Sequence, residues 1–261
     1  MKILFLGDIV GRHAREKIYD TLPGYIEAHQ IDFTIINAEN AAGGFGITQK
    51  ISQDLFDAGA DALTMGNHTW DNREIYGFID KQPRLIRPAN YPKGTPGYGA
   101  SMLQSKQGMN VLVVNLLGRV FMHPVLDCPF EVIDRELIGA ALGEYCDAII
   151  VDMHAEATSE KQSIGYYLDG RVSAVIGSHT HVPTADEKIL PKGTAYQTDA
   201  GMCGVYDSVL GMDKQEPLSR FTTKLNSGRY KPAEGKATLC GAIIQTDDKT
   251  GLATDIERIK I

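Results

Sequence analysis

Cysteine is scarce in this chain, and Cys128, Cys146, Cys203 and Cys240 stand far apart with no CxxC spacing among them. That argues against a disulfide framework or a thiolate zinc site and fits free thiols in a reducing cytoplasm. Positive charge is also in short supply. Lysine and arginine total 26 against 33 aspartates and glutamates, a formal net charge of −7 over 261 residues. A nonspecific grip on long nucleic acid needs a basic field and is not expected, although a local anion site stays open. No apolar run approaches the length that crosses a bilayer, and Met1-Lys2 leads straight into strand-like sequence without a cleavage site, so neither a membrane span nor a secretory signal is expected. No Pro/Gly/Ser-rich linker and no internal repeat divides the chain. At 43% hydrophobic it can bury a substantial core, and a single domain over residues 1–261 is the simplest organisation.

What the chain does have is an alternation of short β-branched apolar runs with helical patterns. Lys2 to Leu6 reads as a buried strand ending at Gly7-Asp8. A helix follows from about Arg12 to Gln30, with Ile18, Leu22 and Ile26 at spacing four and Pro23-Gly24 interrupting its middle. Phe33 to Asn37 is a second strand running into Glu39-Asn40 and a Gly-rich loop that matches neither the dinucleotide fingerprint nor the P-loop. Thr48 caps a helix stopped by Gly59, Ala62 to Met65 is a strand opening into Gly66-Asn67-His68, and Asp71 caps a helix over 72–79. Ala100 to Gln104 and Val111 to Leu117 read as an antiparallel pair, and Pro129 opens a helix reaching Leu142. Ala148 to Met153 is a strand that delivers His154, Ser159 to Leu168 is helical, and Val172 to Ile176 is a strand ending at Gly177-Ser178. Further strands are expected over 187–190 and 195–198, and Thr198 to Asp207 reads as a loop covering a site. The tail has strand-like runs at 219–225, 237–245 and 254–261.

Ligand-type side chains gather at these strand ends: Asp8, Glu39 with Asn40, Asn67 with His68, His154, and His179 with His181. Each has a plain structural reading alone, since Asp and Asn at strand ends are commonly turn formers or helix caps, and two nearby histidines can decorate a surface turn. Jointly they carry more. Sites in open α/β sheets form outside the carboxyl ends of strands, so these loops are expected to converge. His13, His29 and His123 lie outside that layer and are assigned to surface or packing roles. Carboxylate, imidazole and amide donors in numbers too large for one ion point to a pair of borderline or hard metals such as iron, manganese or zinc. Glu39 is the natural bridging carboxylate. Paired ions about 3.5 to 4 Å apart activate a shared water and clamp the oxygens of an in-line displacement, so phosphoester hydrolysis is the expected reaction.

The order of these motifs resembles the calcineurin-like metallophosphoesterases: Asp first, Gly-Asn-His in the middle, Gly-x-His-x-His last. It is more closely similar to the YmdB-type branch of bacterial phosphodiesterases. The shared segments are Gly7-Asp8-Ile9-Val10-Gly11, Asn37-Ala38-Glu39-Asn40, Met65-Gly66-Asn67-His68-Thr69-Trp70-Asp71, Asp152-Met153-His154-Ala155-Glu156 and Gly177-Ser178-His179-Thr180-His181-Val182-Pro183-Thr184. The resemblance covers essentially the whole chain. Two departures from the superfamily stand out. Val10 replaces the histidine of the first motif, and Glu39 replaces the usual bridging aspartate.

The resemblance implies a four-layer α/β/β/α sandwich of two mixed sheets with helices outside, which also suits βα units followed by antiparallel strands. It implies one metal held by Asp8, Glu39, Asn40 and His181 and a second by Glu39, Asn67, His154 and His179, with iron or manganese the expected ions and zinc an alternative. His68 is left over, and the resemblance implies a general acid that protonates the leaving alkoxide, worth roughly a hundredfold or more in rate. The alternative is that His68 orients Asn67. The implied activity is hydrolysis of small phosphodiesters, 2',3'-cyclic nucleotides in particular, by a cytoplasmic homo-oligomer. A phosphomonoesterase or nucleotidase, and a slow-turnover nucleotide-sensing regulator, are the rival readings.

Overall fold

The computed structural model describes residues 1–226 and 228–261. Its strands form two mixed sheets. The first takes β1 (Lys2–Leu6), β2 (Asp8–Ile9), β3 (Phe33–Asn37), β4 (Ala62–Thr64), β5 (Leu85–Ile86), β12 (Met202–Val205), β13 (Ala237–Thr246) and β14 (Ala253–Lys260), in the order β2-β12-β13-β1-β3-β4-β5 with β14 also paired to β13. The second takes β6 (Ala100–Gln104), β7 (Asn110–Leu117), β8 (Ala148–His154), β9 (Ala174–Ser178), β10 (Lys188–Ile189) and β11 (Ala195–Gln197), in the order β10-β11-β9-β8-β7-β6. β1, β3, β4 and β5 run parallel, as do β7, β8, β9 and β11. The expected antiparallel pairing of β6 with β7 is present.

Alternation along each strand divides its side chains between two apolar layers. Ile3, Phe5, Phe33 and Ile35 of the first sheet meet Val111, Val113, Ile150 and Ile176 of the second in the layer between the sheets. Leu4, Leu6, Ile36 and Leu63 face outward onto helices α1 (Gly11–His29) and α2 (Gln49–Asp57) through Ile18, Leu22, Ile51 and Leu55. On the far side Val114, Ile149 and Val151 pack under α3 (Pro129–Glu136) and α4 (Thr158–Tyr167). The four-layer α/β/β/α order is therefore present. Among the described residues no helix is long and apolar enough to cross a membrane, and the four cysteines are free thiols.

Several local expectations are corrected. Helix α1 is unbroken, because Pro23 sits on its exposed face while Ala14, Ile18 and Leu22 anchor the buried one. Residues 72–79 form two short 3-10 turns, Arg73–Gly77 and Ile79–Lys81, the first capped by the Asn72 side chain on the Glu74 amide. Helix α3 stops at Glu136, and Gly139 at φ 79° turns the chain away. Residues 202–205 form β12, between β2 and β13, so the middle of the 198–207 stretch is strand rather than covering loop. The strand expected at 219–225 falls in helix α5 (Gln215–Thr223). There Pro217 occupies the first turn, where its missing N–H costs nothing, Arg220 pairs with Glu216 at 2.7 Å, and the Thr222 and Thr223 hydroxyls return to Leu218 and Ser219 carbonyls.

One ion pair ties a helix to the segment after β11, which in turn holds the loop after β9. Lys161 of α4 and Asp199 beyond β11 are both buried, with Nζ 2.6 Å from Oδ2. The same carboxylate accepts from the Thr180 amide at 3.1 Å and the Thr180 hydroxyl at 2.8 Å, and its other oxygen accepts from the Gly201 amide at 2.8 Å. A buried pair broken from one side leaves an uncompensated charge. Lys161→Met should therefore lower unfolding stability by about 3–5 kcal/mol, and adding Asp199→Asn should restore part of it. Urea titration of the parent and both variants checks this: a single variant within 1 kcal/mol of the parent, roughly the ceiling for an exposed pair, would contradict it.

Candidate metal centre

The parallel strands of both sheets end on the same edge, and their carboxyl-terminal residues meet there. Asp8 opens β2 directly after Gly7, Glu39 and Asn40 follow β3, and Asn67 and His68 follow β4. From the second sheet, His154 closes β8, and His179 and His181 follow β9. Two groups of donor atoms result, Asp8/Glu39/His181 and Glu39/His154/His179, with the atoms of each group within 4.8 Å of one another. Glu39 belongs to both.

Two glycines allow this approach. A Cβ at Gly66 would lie 2.4 Å from Glu39 Oε2 and 2.3 Å from His154 Nε2, inside the donor cluster. A Cβ at Gly177 would lie 1.8 Å from the Thr198 carbonyl, so β9 could not lie against the segment after β11. His179 and His181 then take φ of 98° and 65°, unusual for a residue with a side chain, and the Thr180 contacts to Asp199 hold that turn in place.

The hydrogen bonds show which atoms are already committed. His181 Nδ1 lies 2.9 Å from the Leu210 carbonyl, which can only accept, so its Nε2 carries the lone pair; Nε2 is 4.0 Å from Asp8 Oδ1. Asn40 Nδ2 donates to the Gly44 carbonyl at 2.9 Å. That leaves Asn40 Oδ1 buried without a partner, and Asp8 Oδ1 is in the same state, while Asp8 Oδ2 accepts from the His179 amide at 3.2 Å. His154 Nε2 faces Asn67 Oδ1 at 3.0 Å, Glu39 Oε1 at 3.2 Å and His179 Nδ1 at 3.2 Å. One proton cannot serve three acceptors, whereas a cation can, and two orphaned oxygens beside them fit the same donor chemistry.

Electrostatics agree with a site built for positive charge. Burial pushes the Asp8 carboxyl up to about 6, against the pull of His181 and His154. Burial also acts to raise Glu39, but the His154 imidazole prevails and holds it below the ordinary carboxylate range. His154 is itself driven up to about 9, its burial outweighed chiefly by Glu39, while burial and His154 push His179 down to about 3.

His68 occupies the rim. Its backbone N–H donates to Glu39 Oε2 at 3.0 Å, its Nδ1 lies 2.7 Å from Asp71 Oδ2, and Phe45 meets its ring edge-on at 5.1 Å. His13, His29 and His123 stay outside the cluster: His13 lies 3.9 Å from Glu16 and His29 stacks on Tyr25. Val10 lies against Gly211. Asp71 is not the expected helix cap, a place Asn72 takes, but steadies His68, and the residue types alone give no role to Glu156, whose Oε2 lies 3.2 Å from His179 Nε2. Asp152 goes unassigned as well, although a carboxylate in an otherwise apolar, wholly buried strand is a visible signal.

Known proteins bear on this arrangement. A Bacillus subtilis protein named 2',3'-cyclic-nucleotide 2'-phosphodiesterase is 53% identical over 261 residues, covering 100% of this chain and 97% of that protein. Among solved structures, a hypothetical protein from Thermus thermophilus is 40% identical with a TM-score of 0.92, covering 100% of this chain and 99% of the other. A phosphatase from Mycoplasma pneumoniae is 34% identical, also with a TM-score of 0.92, covering 100% and 93%. A model of the YmdB-like protein family matches residues 4–259, a span that includes every donor residue described above, and this chain belongs to that family.

Proposed function

We propose that the chain is a metal-dependent phosphodiesterase that opens small phosphodiesters, 2',3'-cyclic nucleotides foremost. The observation that carries this is the pair of donor groups sharing Glu39 at the carboxyl edge of both sheets. The named activity of the Bacillus relative supports the substrate class. Asp8, Glu39, Asn40 and His181 would hold one ion, and Glu39, Asn67, His154 and His179 the other. Carboxylate, amide and imidazole donors suit iron, manganese or zinc. Bound there, the ions would supply Lewis acidity toward phosphoryl oxygens and a water of lowered pKa.

The chain's own residues supply the rest. His68 stands beside the donor cluster without belonging to either donor group, and Asp71 at its Nδ1 fixes the ring so that Nε2–H would face a leaving oxygen. The Glu39 contact to the His68 amide fixes the distance between acid and metal centre. The buried floor of the site, with Asp8, Glu39 and Asn40 almost inaccessible, keeps water from competing for the donors.

Glu39→Gln should lose both metals and hydrolysis together, since an amide cannot bridge two cations with full negative charge. Metal analysis alongside assays on nucleoside 2',3'-cyclic phosphates and on monoesters checks this; two metals retained at near-parent rate would rule out the bridge, and exclusive turnover of monoesters would replace the diesterase reading. His68→Ala should keep both metals and lose roughly a hundredfold or more on a nucleoside diester but far less on a nitrophenyl diester. Equal losses on the two substrates would contradict the acid role. Asn40→Ala should release one metal ahead of the other under mild chelation, with affinity for it reduced roughly 10 to 100-fold. A chelator titration indistinguishable from the parent would reduce Asn40 to a turn residue.

A further inference from the structure

Strand β8 reads Ala-Ile-Ile-Val-Asp-Met-His with every residue buried, so Asp152 is a carboxylate inside an apolar layer. Among the described residues no lysine or arginine is paired with it. It is met instead by three neutral donors from both sheets. Thr64 Oγ1 donates to Oδ2 at 2.5 Å, Asn37 Nδ2 donates to the same oxygen at 3.0 Å, and Ser178 Oγ donates to Oδ1 at 2.5 Å. The Asn37 amide is oriented unambiguously: Nδ2 also reaches the Met65 carbonyl at 3.2 Å, and Oδ1 accepts from the Glu39 amide at 3.1 Å.

Ser178 has one proton, and Asp152 takes it. The serine oxygen is then an acceptor toward His154 Nδ1, 2.8 Å away. A proton on Nδ1 leaves the lone pair on Nε2, the atom that faces Glu39, Asn67 and His179. We propose that Asp152, acting through the Ser178 hydroxyl, is a positioning residue that holds the proton of His154 on Nδ1 and aims Nε2 at the metal. Through Asn37 the same carboxylate also fixes the backbone at Glu39, so one buried group orients donors contributed by both sheets. A carboxylate behind a ligating imidazole raises its basicity, and loss of such support weakens metal affinity by roughly 10 to 100-fold.

This inference rests on the reading of His154 as a ligand, and the test separates the two. Zinc affinity is measured by chelator competition for the parent, His154→Ala, Ser178→Ala, Ser178→Thr and Asp152→Asn, with the exchange-protected Nδ1 proton of His154 followed by NMR in the zinc-loaded protein. Ser178→Ala should weaken one zinc roughly 10 to 100-fold and lose that proton signal, while Ser178→Thr, which keeps the hydroxyl, should recover most of both. Asp152→Asn should behave as Ser178→Ala does. If Asp152→Asn does not fold, as judged by circular dichroism, Ser178→Ala decides alone, since it removes a single hydroxyl. Unchanged zinc binding in His154→Ala would overturn the ligand reading itself. Zinc lost in His154→Ala, but affinity and the Nδ1 signal unchanged in Ser178→Ala, would overturn the role of Asp152 and leave the ligand reading standing.

Discussion

Buried negative charge is the constraint on which the rest of this structure depends. Asp8, Glu39 and Asp152 are almost wholly inaccessible, and among the described residues none is paired with a lysine or arginine. An ionised carboxylate in such a place is costly unless paired or hydrogen-bonded. Asp199 marks the contrast, because Lys161 neutralises it and the surrounding loop can be fully packed. Asp8 and Glu39 have imidazoles and backbone amides beside them, and Asp152 has two hydroxyls and a side-chain amide. A site of this composition is least strained when cations complete it, which makes metal binding a condition of comfort for the fold as well as of chemistry.

Packing two sheets face to face is what makes that concentration of charge possible. Each sheet alone would present a few donors along one edge. With an apolar layer of Phe5, Ile35, Val113 and Ile150 between them, the carboxyl ends of β3 and β4 come level with those of β8 and β9, and donors from both sheets converge. Close approach at Gly66 and Gly177 and the left-handed turns at His179 and His181 are local consequences. Such turns cost conformational energy that surrounding contacts must offset, and the contacts of Asp199 to Thr180 are placed between the two histidines to do so.

Much of this is legible in the sequence because strands buried on both faces are written as continuous apolar runs. Runs such as Phe33 to Asn37 and Ala148 to Met153 are too apolar and β-branched for anything but a buried strand, and the residue types that stop them are donors. Where the sequence misleads, the deciding contact lies elsewhere in the chain or in solvent. Pro23 suggests a break, yet the buried stripe of Ala14, Ile18 and Leu22 carries α1 through it. Thr222 and Thr223 favour a strand until their hydroxyls find helical carbonyls at Leu218 and Ser219. Residues 202–205 read as a loop because the strand partners that claim them, Asp8–Ile9 and Ala237–Thr246, are distant in sequence. Ser178 and Lys161 are silent in the sequence for a related reason, since each acts through a neighbour that only the folded chain supplies.

The support behind the histidines also makes the two donor groups unequal. His181 leans on a neutral backbone carbonyl at Leu210, and its group depends on the amide oxygen of Asn40 where a second imidazole is absent. His154 leans on Ser178 and, beyond it, the charge of Asp152, while His179 has Glu156 at its Nε2. Anionic support makes an imidazole the stronger donor. With the ligands as proposed, the His154 and His179 group has carboxylates behind its imidazoles and the Asp8 and His181 group has only a neutral carbonyl and an amide, so the second would hold its ion the more loosely.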